Sequence, residues 1–100
     1  MSPRLSLSAA LILKALSLGY RFGFEIMEIT GLPSGTVYPA LRRLERDQLV
    51  VSKWEDDADA EARGHPARCY YTITEAGKSA NTVAIERYPL LSQVLAEKSA

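Results

Sequence analysis

The chain has 100 residues, enough for one domain with a single hydrophobic core. Hydrophobic residues make up 47% and charged residues 24%, which excludes a disordered, collagen-like or disulfide-rich chain. The formal net charge is zero but uneven: residues 1–54 carry seven basic and four acidic side chains, and residues 55–100 carry five basic and eight acidic ones. Such an asymmetry can place a cationic binding face on a neutral protein.

Cysteine usage and hydropathy predict the cellular compartment of the protein. Cys69 is the only cysteine, so no disulfide can form within the chain and a reducing compartment is expected. No stretch reaches the roughly 18 consecutive apolar residues of a membrane-spanning helix. The leucine-rich run after Arg4 contains Lys14, so we predict a helix here and not a signal peptide. These observations predict a cytoplasmic protein without membrane contact.

Two apolar stripes at helical spacing predict the first two helices. The first stripe ends at Gly19 and is made of Leu5, Ala9, Ile12, Leu13 and Leu16. The second covers residues 22–29 and is followed by Gly31, which can adopt the left-handed conformation of a helix C-terminus. Ser34 is a candidate N-cap for a third helix, which is predicted to continue to about residue 47.

After residue 48 the periodicity changes from helical to extended. Residues 49–54 and 68–73 are rich in β-branched and aromatic side chains, so they are predicted to form an antiparallel hairpin. The polar residues 55–66 between them are predicted to be a loop.

A last helix is predicted to begin after Thr74, whose hydroxyl can cap it, and Pro89 should bend or interrupt it. One side of this helix carries an apolar stripe of Ala84, Tyr88, Leu91 and Leu95. Because the short hairpin cannot cover this stripe alone, we expect it to form a homodimer interface.

The third predicted helix has one strongly cationic face. A period of about 3.6 residues places Val37, Leu41 and Leu44 together on the buried side. The opposite side contains no acidic residue and presents Gly35, Tyr38, Pro39, Arg42, Arg43 and Arg46. Arginines can neutralise phosphates, the hydroxyls of Thr36 and Tyr38 can contact bases, and the DNA major groove admits one helix.

The start of this helix and the hairpin tip are predicted to add DNA contacts. Unpaired backbone N–H groups near Ser34 attract phosphates. In the wing, residues 55–68, the basic side chains Arg63, His65 and Arg68 can lie along the DNA backbone or enter the minor groove. The acidic residues 55–61 are expected to point away from DNA.

The order helix, helix, tight turn, helix, hairpin, helix predicts a mostly helical α+β fold. A helix pair joined by a short glycine-containing turn is a helix-turn-helix, and a hairpin after it makes a winged helix. We expect a winged helix-turn-helix with a two-stranded wing and a C-terminal dimerisation helix. Residues 1–74 would be the DNA-binding domain and residues 75–100 the dimerisation segment. An arginine-rich face that only keeps the protein soluble is the alternative, which the turn and the hairpin disfavour.

The chain resembles the PadR-type winged-helix transcriptional regulators, as a short-tailed member. Four stretches carry the resemblance: ILKAL at 12–16, FGFEI at 22–26, SGTVYPALRRLE at 34–45 and YYTITEAG at 70–77. The third is the most specific, because a proline early in a recognition helix, after Thr-Val-Tyr, is unusual.

The resemblance implies a homodimeric repressor that binds a roughly palindromic operator and is often released by a small ligand. It implies that Ser34, Thr36, Tyr38 and Arg42 lie at the DNA, with Arg63 and His65 at the wing tip. It also implies that the last helix packs on the partner's first helix, which would place Leu5 and Ile12 in the dimer interface.

Other functions find less support. No serine elbow and no Cys/His pair with a third member is present, so we predict no enzyme activity and no cofactor. Trp54, Tyr70 and Tyr71 are predicted to pack in the core or an interface, with a pocket for a small aromatic ligand as the alternative. Cys69 is predicted to be a packed thiol, with redox sensing as the alternative. The main rival function is a winged helix that binds a protein through its third helix.

Overall fold

The computed structural model describes residues 4–98 and confirms the mostly helical α+β winged-helix fold. Its elements, in chain order, are α1 (Leu7–Ser17), α2 (Gly23–Thr30), α3 (Ser34–Arg46), β1 (Val50–Trp54), α4 (Asp57–Ala62), β2 (Cys69–Ile73), α5 (Glu75–Arg87) and a 3₁₀ turn (Pro89–Ser92). Within this part of the chain, no helix has the length and apolar character that crossing a membrane requires.

The predicted apolar stripes of α1, α2 and α3 meet in one core. Its largest fully buried side chains include Ile12, Leu13, Ile26 and Leu41. Gly31 takes the predicted left-handed conformation (φ 74°) at the end of α2, and its N–H donates to the Met27 carbonyl. The turn from α2 to α3 is therefore tight, and α3 packs one side on the core and keeps the other on the surface.

The predicted N-cap of α3 is one residue too late, because Pro33 and not Ser34 is the cap. The carbonyl of Pro33 accepts from the N–H groups of Thr36 (2.9 Å) and Val37 (3.0 Å), and Ser34 is the first helical residue. No side chain caps this helix, so its first N–H groups keep the capacity to bind an external acceptor.

The wing, residues 55–68, connects two antiparallel strands whose register runs from Val50 opposite Ile73 to Trp54 opposite Cys69. The segment before α2 joins its edge, because the Tyr71 N–H donates to the Arg21 carbonyl over 2.8 Å and Phe22 forms a bridge with Tyr70. The wing is thus fixed to the helix-turn-helix unit.

The prediction of a simple loop between the strands is wrong, because this connection contains α4. Asp56 caps this helix, since its carboxylate accepts from the N–H groups of Ala58 (2.9 Å) and Asp59 (3.2 Å). Acidic residues are favourable near a helix N-terminus, and Ala60 is buried. A dense run of carboxylates therefore folds as a short helix of six residues.

The C-terminal helix begins and ends as its caps predict. The Thr74 hydroxyl accepts from the Gly77 N–H over 3.0 Å, and the helix stops at Arg87, before Pro89. The interruption predicted at Pro89 is confirmed, and beyond it Leu91 lies in the 3₁₀ turn while Leu95, with a φ of 64°, lies outside any helix.

The residues predicted as dimer contacts are packed within the chain. Ile12, Ala84 and Leu91 are buried, and Leu5 and Leu95 are partly buried against the same core clusters. The hydroxyl of Tyr88 donates to the Leu5 carbonyl over 3.2 Å. The physical reason is that α1 of the same chain covers the stripe. The resemblance implies that the first helix of the partner packs on this helix.

Candidate nucleic-acid interface

The predicted DNA face of α3 lies on the surface. Its buried side consists of Val37, Ala40, Leu41 and Leu44. On its outer side Ser34, Gly35, Tyr38, Arg42, Arg43 and Arg46 are exposed, and Thr36 and Pro39 are half-buried. A Cβ added at Gly35 would meet no atom within 4 Å, so the first turn can come close to a ligand surface.

The arginines of α3 differ in their partners. Among residues 4–98, no carboxylate forms an ion pair with Arg42 or Arg43. The Nε of Arg46 lies 3.3 Å from Asp47, and this exposed pair contributes little to stability. At least two guanidinium groups of this face are therefore available for phosphates.

Tyr38 is held against the first residue of α2. Its side chain keeps 40% exposure, while one side of its ring faces Gly23. A Cβ added at Gly23 would lie 2.7 Å from two ring carbons of Tyr38. Sequence reasoning missed this function of Gly23, and the FGFEI stretch was the available signal.

A cleft of about 310 Å³ opens beside Tyr38, between the start of α2 and the wing. Its lining is mostly aromatic and consists of Phe22, Gly23, Phe24, Tyr38, Trp54, Arg68, Cys69 and Tyr71. Burial, together with the neighbouring Cys69, raises the pKa of Tyr71 to about 12, so its phenol stays protonated at neutral pH. Trp54 and Tyr71 thus share a cleft, whereas Tyr70 lies elsewhere, under the guanidinium of Arg21 at 4.5 Å.

The basic residues of the wing converge on one carboxylate. Glu55 accepts from the Arg68 backbone N–H at 2.9 Å and from its Nε at 3.2 Å. Arg63 and His65 approach the same carboxylate to 3.7 and 3.8 Å. Glu55, the first residue of the acidic run, therefore contacts the basic segment of the wing directly.

The charge of Glu55 is stabilised by these neighbours. Partial burial alone would raise its pKa, but the hydrogen bonds from Arg68 and the charges of Arg68 and His65 lower the pKa below its ordinary value. Glu55 is therefore ionised at neutral pH and partly compensates the charge of the wing arginines.

A second cleft, of about 250 Å³, lies on the other side of α3, next to the start of α1. Arg4 lines it together with Arg43, Arg46 and Asp47. Arg4 was not among the predicted site residues, because the sequence does not show that the N-terminal segment lies beside α3.

Three packed helices, an exposed cationic third helix after a tight turn, and a hairpin fixed beside it define the class of winged helix-turn-helix proteins. The chain belongs to the transcriptional regulator PadR-like family, which it matches over residues 12–82. Comparison with curated proteins gives no match.

Solved structures show the same fold. A PadR family transcription regulator from hypervirulent Clostridium difficile is 24% identical, with 88% of this chain and 93% of that one covered and a TM-score of 0.73. A transcriptional regulator from Clostridium thermocellum is 24% identical, with 85% of each chain covered and a TM-score of 0.68. A Streptococcus transcriptional regulator is 23% identical over 85% of this chain and 84% of that one, with a TM-score of 0.66.

Proposed function

We propose that this family member binds double-stranded DNA by inserting α3 into the major groove. The observation that carries the proposal is the exposed face of α3, on which Arg42 and Arg43 have no carboxylate partner among the described residues. A cationic helix of this kind gains affinity from the phosphates on both sides of the groove.

In this proposal, some side chains of α3 contact phosphates and others contact bases. Ser34 and the uncapped N–H groups at the helix start suit one phosphate, and Arg42, Arg43 and Arg46 suit the flanking ones. Thr36 and Tyr38 lie nearest the base edges, while Gly35 and Pro39 present no long side chain that would keep the backbone away. Arg63, His65 and Arg68 of the wing are the second contact region.

The same proposal includes repression of transcription by a homodimer in the cytoplasm. Residues 1–74 would bind one half-site each, and residues 75–100 would contribute to the dimer contact. Because the predicted stripe is buried within the chain, the contact falls to exposed apolar residues around α1 and α5, namely Leu7, Val83, Leu90 and Val94. A small aromatic ligand that releases the DNA would fit the cleft beside Tyr38.

A gel-shift titration tests DNA binding, with the duplex upstream of the protein's own coding region as probe and a scrambled duplex as competitor. We expect a specific complex, which Arg42→Ala and Tyr38→Ala each weaken about tenfold or more. Lys78→Ala, which removes an exposed cation on α5, is the matched control and should leave binding unchanged. Equal binding by all variants, with circular dichroism showing an intact fold, would refute DNA binding through α3 and favour the rival function of protein binding.

A further inference from the structure

The carboxylate of Glu55 and the wing arginines differ in how far they reach into solvent. The Glu55 side chain is 9% exposed, whereas those of Arg63 and Arg68 are 67% and 38% exposed. The arginines can therefore turn part of their N–H groups outward, while Glu55 stays at the base of the wing.

Glu55 neutralises part of the positive charge of the wing arginines, and the other residues of the wing do not replace that charge. Residues 55–68 contain five acidic side chains against two arginines and one histidine. The guanidinium of Arg68 is also held from a second side, 4.5 Å from the centre of the Phe22 ring. A phosphate that approaches this wing thus meets Arg68, which already has close internal partners, and Arg63, whose contact with Glu55 is longer, at 3.7 Å.

We propose that Glu55 is an internal counter-ion that competes with DNA phosphates for Arg63 and Arg68, and so limits how tightly the wing holds DNA. The inference rests on the proposed DNA binding and specifies how it is restrained. A cation that is neutralised inside the protein releases fewer counter-ions from DNA, so it adds little to the affinity or to its salt dependence. The function of Glu55 is thus to leave the discrimination between DNA sequences to α3.

Glu55→Gln tests the proposal, because the amide oxygen can still accept from the Arg68 N–H while the charge is lost. Fluorescence anisotropy measures the Kd for duplex DNA over a series of salt concentrations. We expect about tenfold tighter binding at low salt and a log–log salt slope steeper by about one to two. Glu61→Gln, the same change on exposed α4, is the matched control and should leave the slope unchanged.

A second variant keeps the proposal falsifiable if Glu55→Gln does not fold. Arg63→Gln alters an exposed side chain, and it should weaken DNA binding by the otherwise wild-type protein less than about threefold. Where the Glu55→Gln protein is folded, the same substitution made in it should weaken binding about tenfold, which measures the coupling between the two residues. A tenfold loss from Arg63→Gln alone, with a shallower slope, would mean that Arg63 already pairs with phosphate and would overturn the proposal.

The two proposals fail in different ways. If the wild-type protein shows no salt-dependent binding to duplex DNA, the proposed function itself is wrong. If the wild-type protein binds and Arg42→Ala weakens it, but folded Glu55→Gln binds with unchanged affinity and slope, only the counter-ion proposal is overturned.

Discussion

At the scale of single residues, the contact between Gly23 and Tyr38 connects α2 to the exposed face of α3. The ring of Tyr38 occupies the space that any side chain at position 23 would need. Tyr38 is therefore fixed on one side by packing and free on the other, which the proposed contact with a base edge requires. The glycine matters here because of this close approach and not because of its backbone angles.

Gly23→Ala should for this reason displace the Tyr38 ring, which the added methyl overlaps, and destabilise the fold by up to about 3 kcal/mol. Gly35→Ala is the matched control: nothing lies within 4 Å of the added Cβ, and alanine favours a helix by up to about 1 kcal/mol. Denaturant unfolding of both variants measures the difference. Equal stability of the two would show that Tyr38 does not need the space at Gly23.

At the scale of elements, Glu25 joins the start of α2 to the C-terminal segment. Its carboxylate accepts from the backbone N–H groups of Arg21 (3.1 Å) and Phe22 (3.2 Å), and it lies 2.6 Å from the Lys98 ammonium. Partial burial alone would raise the pKa of Glu25, but these hydrogen bonds hold it below its ordinary value. The first helix of the helix-turn-helix unit is thus attached to the end of the described chain.

The stability that Glu25 contributes should depend on pH in one direction. A carboxylate whose pKa is lower in the folded state stabilises the protein above the unfolded value of about 4.5, and this contribution is lost as the pH falls through the lowered pKa. Urea unfolding at pH 7 and pH 3 should therefore show a smaller difference for Glu25→Gln than for the wild-type protein. Glu55 titrates in both proteins, so an identical pH dependence would show that Glu25 does not contribute.

Periodicity and caps predicted those elements that local sequence determines. The Thr74 cap, Gly31 and the β-branched runs located α5, the end of α2 and the two strands because each acts within a few neighbouring residues. The sequence does not predict α4, because a run of carboxylates is also typical of a solvated loop. The face of α3 followed from helical spacing, but the contacts of Glu55 with Arg68 and of Gly23 with Tyr38 join distant segments and required the folded chain.

At the scale of the whole molecule, the apolar stripe of Ala84 and Leu91 packs on α1. Helical spacing correctly identified Ala84 and Leu91 as residues that must be buried, yet it did not determine what buries them. In the structure α1 of the same chain does so, and the Lys14 ammonium donates to the Leu91 carbonyl. Some apolar side chains at this end stay exposed, and Leu90 is 71% exposed. A second copy of the chain can cover them.

Leu90→Asp should weaken the proposed homodimer at least tenfold, because it places a charge in an apolar contact. Sedimentation velocity at micromolar concentrations measures the dimer fraction of the wild-type protein and of the variant. Val51→Asp changes an exposed apolar residue of β1, away from this surface, and should leave the fraction unchanged. A wild-type protein that sediments as a monomer would contradict the dimer.

The salt dependence of DNA binding tests the central claim most directly, namely that the free arginines of α3 neutralise phosphates. The wild-type protein and the variant Arg42→Ala/Arg43→Ala are titrated with the upstream duplex over a series of salt concentrations. Each lost phosphate contact should reduce the log–log slope by about 0.9, so we expect the double variant to bind more weakly with a slope shallower by nearly two. An unchanged slope and affinity in a correctly folded double variant would contradict the account.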